Sequence, residues 1–329
     1  MSSDPLKKMT DWAKLEEMLK DQQEAETLKV NAVDFEKHCL DRVKGQDDTV
    51  KTVTKTIRLE YSKANRAKPI ANLLFLGPTG TGKTELAKAI NTFLFHDEEN
   101  LIRFDCSELS GSHSKDRLIG VPTGYVGAEK GGQLTRPILQ NPKRVILFDE
   151  IEKAYSGIFD LFLQMMGEGR LTEQGSGKVA DFTQSVIVLT SNALSEDMVK
   201  LKEQYPDPIE QTNALKSHLA DNQVFRTEIL GRIDRVCIFN PLAGIVMAEI
   251  ILQKIKKIAA DFQVDVDHVA AEAVFHALEK NKKVSRFGVR ELERILFDLF
   301  AESFSELKRQ KKRHCQITVV NGVIKITGK

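Results

Sequence analysis

The chain has 329 residues, 41% of them hydrophobic and 29% charged, which suits about two ordinary folded domains. Lys and Arg number 48 against 47 Asp and Glu, a balance that disfavours a uniformly basic nucleic-acid binder. No run approaches the ~18 apolar residues that span a bilayer, and the first residues lack the apolar core of a signal peptide, so no membrane partner is expected.

Over residues 4–25, Met9, Trp12, Leu15, Met18 and Leu19 recur at helical spacing among charges. Residues 1–34 are therefore expected to form an amphipathic helical extension, which either packs on the flank of the neighbouring domain or holds a partner or adaptor. Over 35–240, short apolar runs alternate with helical patterns, as in a three-layer α/β domain built on a parallel sheet. The expected strands are 72–76, 101–105, 144–148, 185–190 and 235–239. Pro241 opens a third stretch, 241–329, in which Met247, Ile251, Ile255, Ile258 and Phe262 keep helix spacing, as do Leu292, Ile295 and Leu299. Two apolar runs around Asn321-Gly322 predict a hairpin over 315–327. This last stretch reads as a small, mostly helical domain closed by a β-hairpin. The basic run 308–313 reads as a solvated helix end. Cys39, Cys106, Cys237 and Cys315 are scattered without a CxxC pair, so neither disulfides nor zinc are expected and a reducing cytoplasm is the default.

The densest chemical signal is Gly77-Pro78-Thr79-Gly80-Thr81-Gly82-Lys83-Thr84, which fits G-x-x-x-x-G-K-[ST]. It comes after an apolar run and opens a helix in which Leu86, Ile90 and Phe93 share one face. Strand, glycine loop and helix are the arrangement phosphate binding needs. Glycines let main-chain N–H groups curl round a β-phosphate, at a helix N-terminus whose dipole favours anions. Lys83 then reaches the β- and γ-phosphates, and the Thr84 hydroxyl can ligate Mg²⁺. Downstream, Arg144-Val-Ile-Leu-Phe-Asp149-Glu150 places two acids at the carboxyl end of a buried strand, where α/β ligands sit. Asp149 suits Mg²⁺ held through bound water, and Glu150 suits polarisation of an attacking water. Together the two motifs predict an enzyme that hydrolyses a nucleoside triphosphate.

Further motifs extend the pattern. Val43-Lys-Gly45-Gln46-Asp47 precedes the phosphate loop, and His113 to Gly120, Val121 to Gly127 and Gly131 to Leu134 come after it. Leu147 to Lys153, Gly169 to Thr172, Thr190-Ser191-Asn192, Phe225-Arg226, Gly231-Arg232-Ile233-Asp234 and Phe287-Gly288-Val289-Arg290 complete the series. From about residue 35 to the end, this resembles the Clp family of AAA+ ATPases, most closely the C-terminal ATPase module of ClpB- and ClpA-like unfoldases.

The resemblance implies an AAA+ P-loop domain with a small helical lid, ATP and Mg²⁺ as cofactors, and a homohexameric ring binding ATP between subunits. Val43 joins the nucleotide-binding residues on the same likeness. Asn192 matches the first sensor, which places the lytic water. Arg232 matches the arginine finger that completes a neighbour's site, and Arg290 matches the second sensor, which reports the γ-phosphate. Without the family, each Arg reads as a surface salt-bridge partner. Tyr125 and Val126 match the pore loop that grips an unfolded polypeptide, and 169–181 matches a second pore loop. An aromatic ring contacts any passing side chain without demanding a sequence, and flanking glycines let the loop travel. A buried Tyr in a rigid turn is the other reading.

Departures are few. Gly231 stands where the family commonly has Asn, Thr123 where a second Pro is usual, Ala128 where a second aromatic often comes next, and Val289 in place of Ala. With one phosphate loop and no Cys-rich zinc-binding segment, the expectation is a compact single-ring relative. No Ile-Gly-Phe or Ile-Gly-Leu tripeptide follows Asn192, so docking on a ClpP-like protease is not expected. The expected function is an ATP-driven motor that threads or disassembles a protein substrate or complex. The alternative is a nucleotide-switched scaffold that recruits partners without threading.

Overall fold

Between residues 71 and 238 the chain forms β1 (Ala71–Leu76), β2 (Ile102–Asp105), β3 (Val145–Asp149), β4 (Arg170–Thr172), β5 (Val179–Asp181), β6 (Val186–Ser191) and β7 (Arg235–Ile238). The computed structural model describes residues 32–96, 100–284, 289–320 and 323–328. The expected helix over 4–25, the Phe287-Gly288 pair and the Asn321-Gly322 turn lie outside the described residues. Five strands form one parallel sheet in the order β2-β3-β6-β1-β7. They are the five apolar runs of the sequence, each within a residue of the expected limits.

β1 and β6 are buried along their whole length because helices cover both faces of the sheet. Side chains alternate between those faces. Leu74, Leu76, Phe148 and Leu189 join one core with Phe162 and Met165 of the helix Phe159–Glu168. Leu73, Phe75, Leu147 and Val188 join the other, packed by the helices Ala32–Arg42, Asp47–Tyr61 and Lys83–Phe95. Each fully buried Leu or Phe contributes roughly 1.5–3 kcal/mol, so the sheet is a rigid platform for the loops at its edges.

A third core gathers Ile251, Ile255, Leu292, Leu296, Phe300 and Phe304. It lies among the helices Gly244–Asp261, Ala271–Val284 and Val289–Arg309 and a second sheet. On the last helix the buried ridge runs Leu292, Leu296, Phe300, Phe304, with Ile295 and Leu299 on its flank. The second sheet contains the expected hairpin, β9 (His314–Val320) antiparallel to β10 (Val323–Gly328), and a strand the sequence does not reveal, β8 (Asp265–Val269), parallel to β9. Most of β8 is exposed, so it carries no apolar run to signal it. Among the described residues no helix is long and apolar enough to cross a membrane.

All four cysteines are free and buried. Burial pushes the Cys39 and Cys237 thiols up to about 12 and Cys315 to about 11, and it raises Cys106 as well. Because the thiolate is the nucleophile, an aromatic disulfide reagent at pH 8 is expected to leave all four unlabelled in the folded protein and to label all four in denaturant. Rapid labelling before unfolding would contradict this packing.

Candidate active site

The phosphate loop leaves β1 at its carboxyl edge and turns into the helix Lys83–Phe95. Two glycines make that turn possible. Gly77 has φ 146°, and a Cβ there would lie 2.4 Å from the Phe239 carbonyl oxygen. Gly82 has φ 103° at the helix N-cap, with Val43 against it. The loop is tied to the rest of the domain by Gln46, whose amide nitrogen donates to Thr81 O (3.3 Å) and Asn240 O (2.9 Å). Gln46 Oε1 in turn accepts from Asn240 N at 2.9 Å.

Lys83 is 7% exposed. Its Nζ donates to Gly77 O (2.5 Å), Pro78 O (2.9 Å) and Asn192 Oδ1 (2.8 Å). Burial lowers its pKa to about 8, against the opposing pull of Asp149, Glu152 and Glu150. A phosphate placed on this ammonium reinforces the charged form.

Three strand ends bring the acids to the loop. Asp149 closes β3, with Oδ1 accepting the Thr190 hydroxyl from β6. Oδ2 lies 3.5 Å from Thr84 Oγ1 and accepts from Arg103 Nη2 at 2.8 Å. Glu150 adopts left-handed backbone, φ 56° and ψ 53°, which is strained for a residue with a Cβ. Its amide donates to Thr190 Oγ1 at 3.1 Å. One carboxylate oxygen accepts Lys153 Nζ at 2.5 Å and the other Asn192 Nδ2 at 3.3 Å. Asn192 N donates to Glu152 Oε1 at 3.3 Å, which fixes the loop that carries it. Lys83, Thr84, Asp149, Glu150 and Asn192 thus share one cleft, of about 580 Å³, with Val43 at its rim. Leu242, Ile250, Lys254, Lys257 and Glu293 line its far side. A loop that only glycine can build, a buried lysine and a hydroxyl beside a carboxylate fit a nucleoside triphosphate with a divalent cation. Sequence patterns do not mark Arg103, Thr190, Lys153, Glu152 and Gln46 as site residues. Gln46, Glu152, Lys153 and Thr190 fall within recognisable motifs, but only the fold shows what they touch.

Arg232 lies elsewhere. Its carbonyl accepts Asn72 Nδ2 at 3.0 Å, at the amino end of β1. The phosphate loop starts at the other end, about 16 Å away at ~3.3 Å per residue. Its exposed side chain runs past Gly167, where a Cβ would come within 3.0 Å of the guanidinium. A Cβ on Gly231 would meet nothing within 4 Å, so the structure gives no reason for glycine there. Arg290 stands in the first turn of the helix Val289–Arg309, and its side chain lies outside the described residues.

Tyr125 is 69% exposed and Val126 fully so, which removes the buried-Tyr reading. They sit on two overlapping turns, closed by Tyr125 N to Pro122 O and Ala128 N to Tyr125 O, both 3.2 Å. Gly124 (φ 97°) and Gly127 (φ 93°) each take the third position of a turn, where positive φ favours glycine. Residues 169–181 form the β4–β5 hairpin, and its tip is docked on the Tyr125 segment. Gln174 N donates to Ile119 O at 2.9 Å, and Gly132 N donates to Glu173 Oε1 at 3.1 Å. Thr123 Oγ1 donates to Gly175 O at 2.9 Å, a bond the more usual Pro could not make.

A family model described as AAA domain (Cdc48 subfamily) matches residues 68–236. The chain is 38% identical over 295 residues to the chaperone protein ClpB of Clostridium tetani, covering 88% of this chain and 34% of that one. It is 40% identical over 263 residues to ClpB of Meiothermus ruber, 78% and 30% of the two chains. Against the chloroplastic ClpB2 of Oryza sativa subsp. japonica it is 42% identical over 234 residues, 69% and 24%. The chain thus spans about a quarter to a third of the length of these relatives. It belongs to the AAA domain family (Cdc48 subfamily), as a nucleotide-binding ATPase module of the Clp type.

Proposed function

We propose that this module is a motor that remodels proteins by drawing polypeptide through the pore of a homohexameric ring, with residues 35–240 as its large domain and 241–329 as its lid. Two observations support the division of domains: separate apolar cores, and a cleft lined from both stretches. ATP binds in that cleft. Main-chain N–H groups of Gly77 to Gly82 and the Lys83 ammonium hold its phosphates, and Val43 flanks it. Thr84, and Asp149 through bound water, would hold a magnesium ion, which would supply positive charge at the phosphates. Glu150 orients the attacking water and accepts its proton, with Asn192 setting the carboxylate's position. Arg232 of a neighbouring subunit completes the site, because its own loop is out of reach. Arg290 reads the γ-phosphate from the lid, whose helix brings Glu293, three residues on, to the cleft.

The observation that carries the threading step is Tyr125 and Val126 standing exposed at the tip of a glycine-built double turn, away from the nucleotide cleft. That pair would meet substrate by aromatic and apolar contact, without a sequence requirement. The hairpin bonds of Thr123 and Glu173 brace the tip, so the two loops move as one body. Tyr125→Ala is expected to lower remodelling of an unfolded or aggregated protein about tenfold or more, the loss of a contact anchor, while ATP turnover stays near the parent's. Remodelling at the parent's rate would leave the nucleotide-switched scaffold as the function.

A further inference from the structure

Arg103 belongs to none of the motifs that identify the module, yet it sits on the acid most important to the metal. It lies on β2, whose register with β3 sets Arg103 opposite Leu147 and Asp105 opposite Asp149. From there its Nη2 reaches Asp149 Oδ2 at 2.8 Å. That oxygen also faces the Thr84 hydroxyl, while Oδ1 is taken by Thr190. The side of Asp149 turned toward Thr84 is therefore the side a guanidinium already occupies.

Resting on the nucleotide reading of the cleft, we infer that Arg103 is an internal competitor of the magnesium ion for Asp149, and that it must release Asp149 before the metal can settle there. The reasoning is electrostatic. A guanidinium stays charged at any working pH, and it repels a second cation brought to the same carboxylate. The guanidinium occupies the face of Oδ2 on which a magnesium-bound water would have to donate. The released side chain has a second acid at hand. Asp105, two residues along β2, also lines the cleft, and its carboxyl is held below the usual range, first by the Ser107 bonds and in lesser part by Arg103. Arg103 thus swings between Asp149 and Asp105, and metal arrival decides which it holds. The exchange keeps Asp149 neutralised at every stage, and it raises the magnesium concentration the site requires.

The test is a binding measurement on the full chain, using fluorescently labelled ADP with magnesium titrated in from a chelated start. For the parent, nucleotide affinity rises with magnesium through a midpoint. Arg103→Ala and Arg103→Gln are expected to lower that midpoint by about three- to tenfold, the scale of a partly exposed charge-assisted pair. Arg103→Lys is expected to fall between, since an ammonium still pairs but as a point charge. A midpoint unchanged or raised in both Ala and Gln variants overturns the competition while leaving the nucleotide reading intact. A parent that binds no labelled ADP at any magnesium level sinks both.

Discussion

Glu150→Gln is expected to bind ATP as the parent does and to hydrolyse it about 10²–10⁴-fold more slowly, the usual worth of a general base. The substitution keeps the shape of the side chain, so Gln Oε1 still accepts from Asn192 Nδ2. What it removes is the basic lone pair and the ion pair to Lys153. That pair is solvent-exposed and screened, too weak to threaten the fold. Turnover and labelled-ATP binding, measured on the same sample, separate chemistry from affinity. Hydrolysis within tenfold of the parent would remove Glu150 from the base role. The left-handed backbone of Glu150 gives a further reason to choose Gln over Gly: glycine would relieve the strain that aims the carboxylate and so change two things at once.

The second large effect is expected at Arg232. Arg232→Ala should lower turnover by about 10³–10⁵-fold, as loss of an arginine finger does in other nucleotide hydrolases. More decisive is a mixing experiment with two inactive proteins. In the proposed ring, mixed Arg232→Ala and Glu150→Gln subunits would form junctions where an intact Glu150 meets an intact Arg232, and activity is expected to reappear there. The structure motivates this directly. Arg232 hangs at the amino end of β1, with the length of the strand between it and the phosphate loop of its own chain. A mixture as inactive as its components would show that Arg232 does not act across a subunit boundary.

The glycine loop and the acid pair are legible in the sequence because their chemistry is local. A phosphate needs consecutive main-chain N–H groups, so Gly77, Gly80 and Gly82 must be neighbours of Lys83 and Thr84. The same holds for β1, β3 and β6, where largely apolar runs announce burial on both faces. Tyr125 is legible too, since a turn needing positive φ at two positions writes Gly124 and Gly127 around it. Thr123 reads in the sequence as a loss relative to the family pattern; in the fold it gains a bond to the second loop.

What sequence cannot supply is every contact between segments far apart in the chain. Arg103 and Asp149 are separated by 46 positions, Thr190 and Asp149 by 41, and Gln46 and Asn240 by 194. They meet only because the chain orders its strands β2-β3-β6-β1-β7, which sets the ends of β2, β3 and β6 side by side at the carboxyl edge. The same order decides that Arg232, in a motif as recognisable as the others, falls at the opposite edge from its own phosphates. Spacing along a chain records which groups act within one loop or one helix turn. Pairing across a sheet depends on the path of the whole domain, because the free energy that fixes it comes from the burial of both faces and belongs to no single segment.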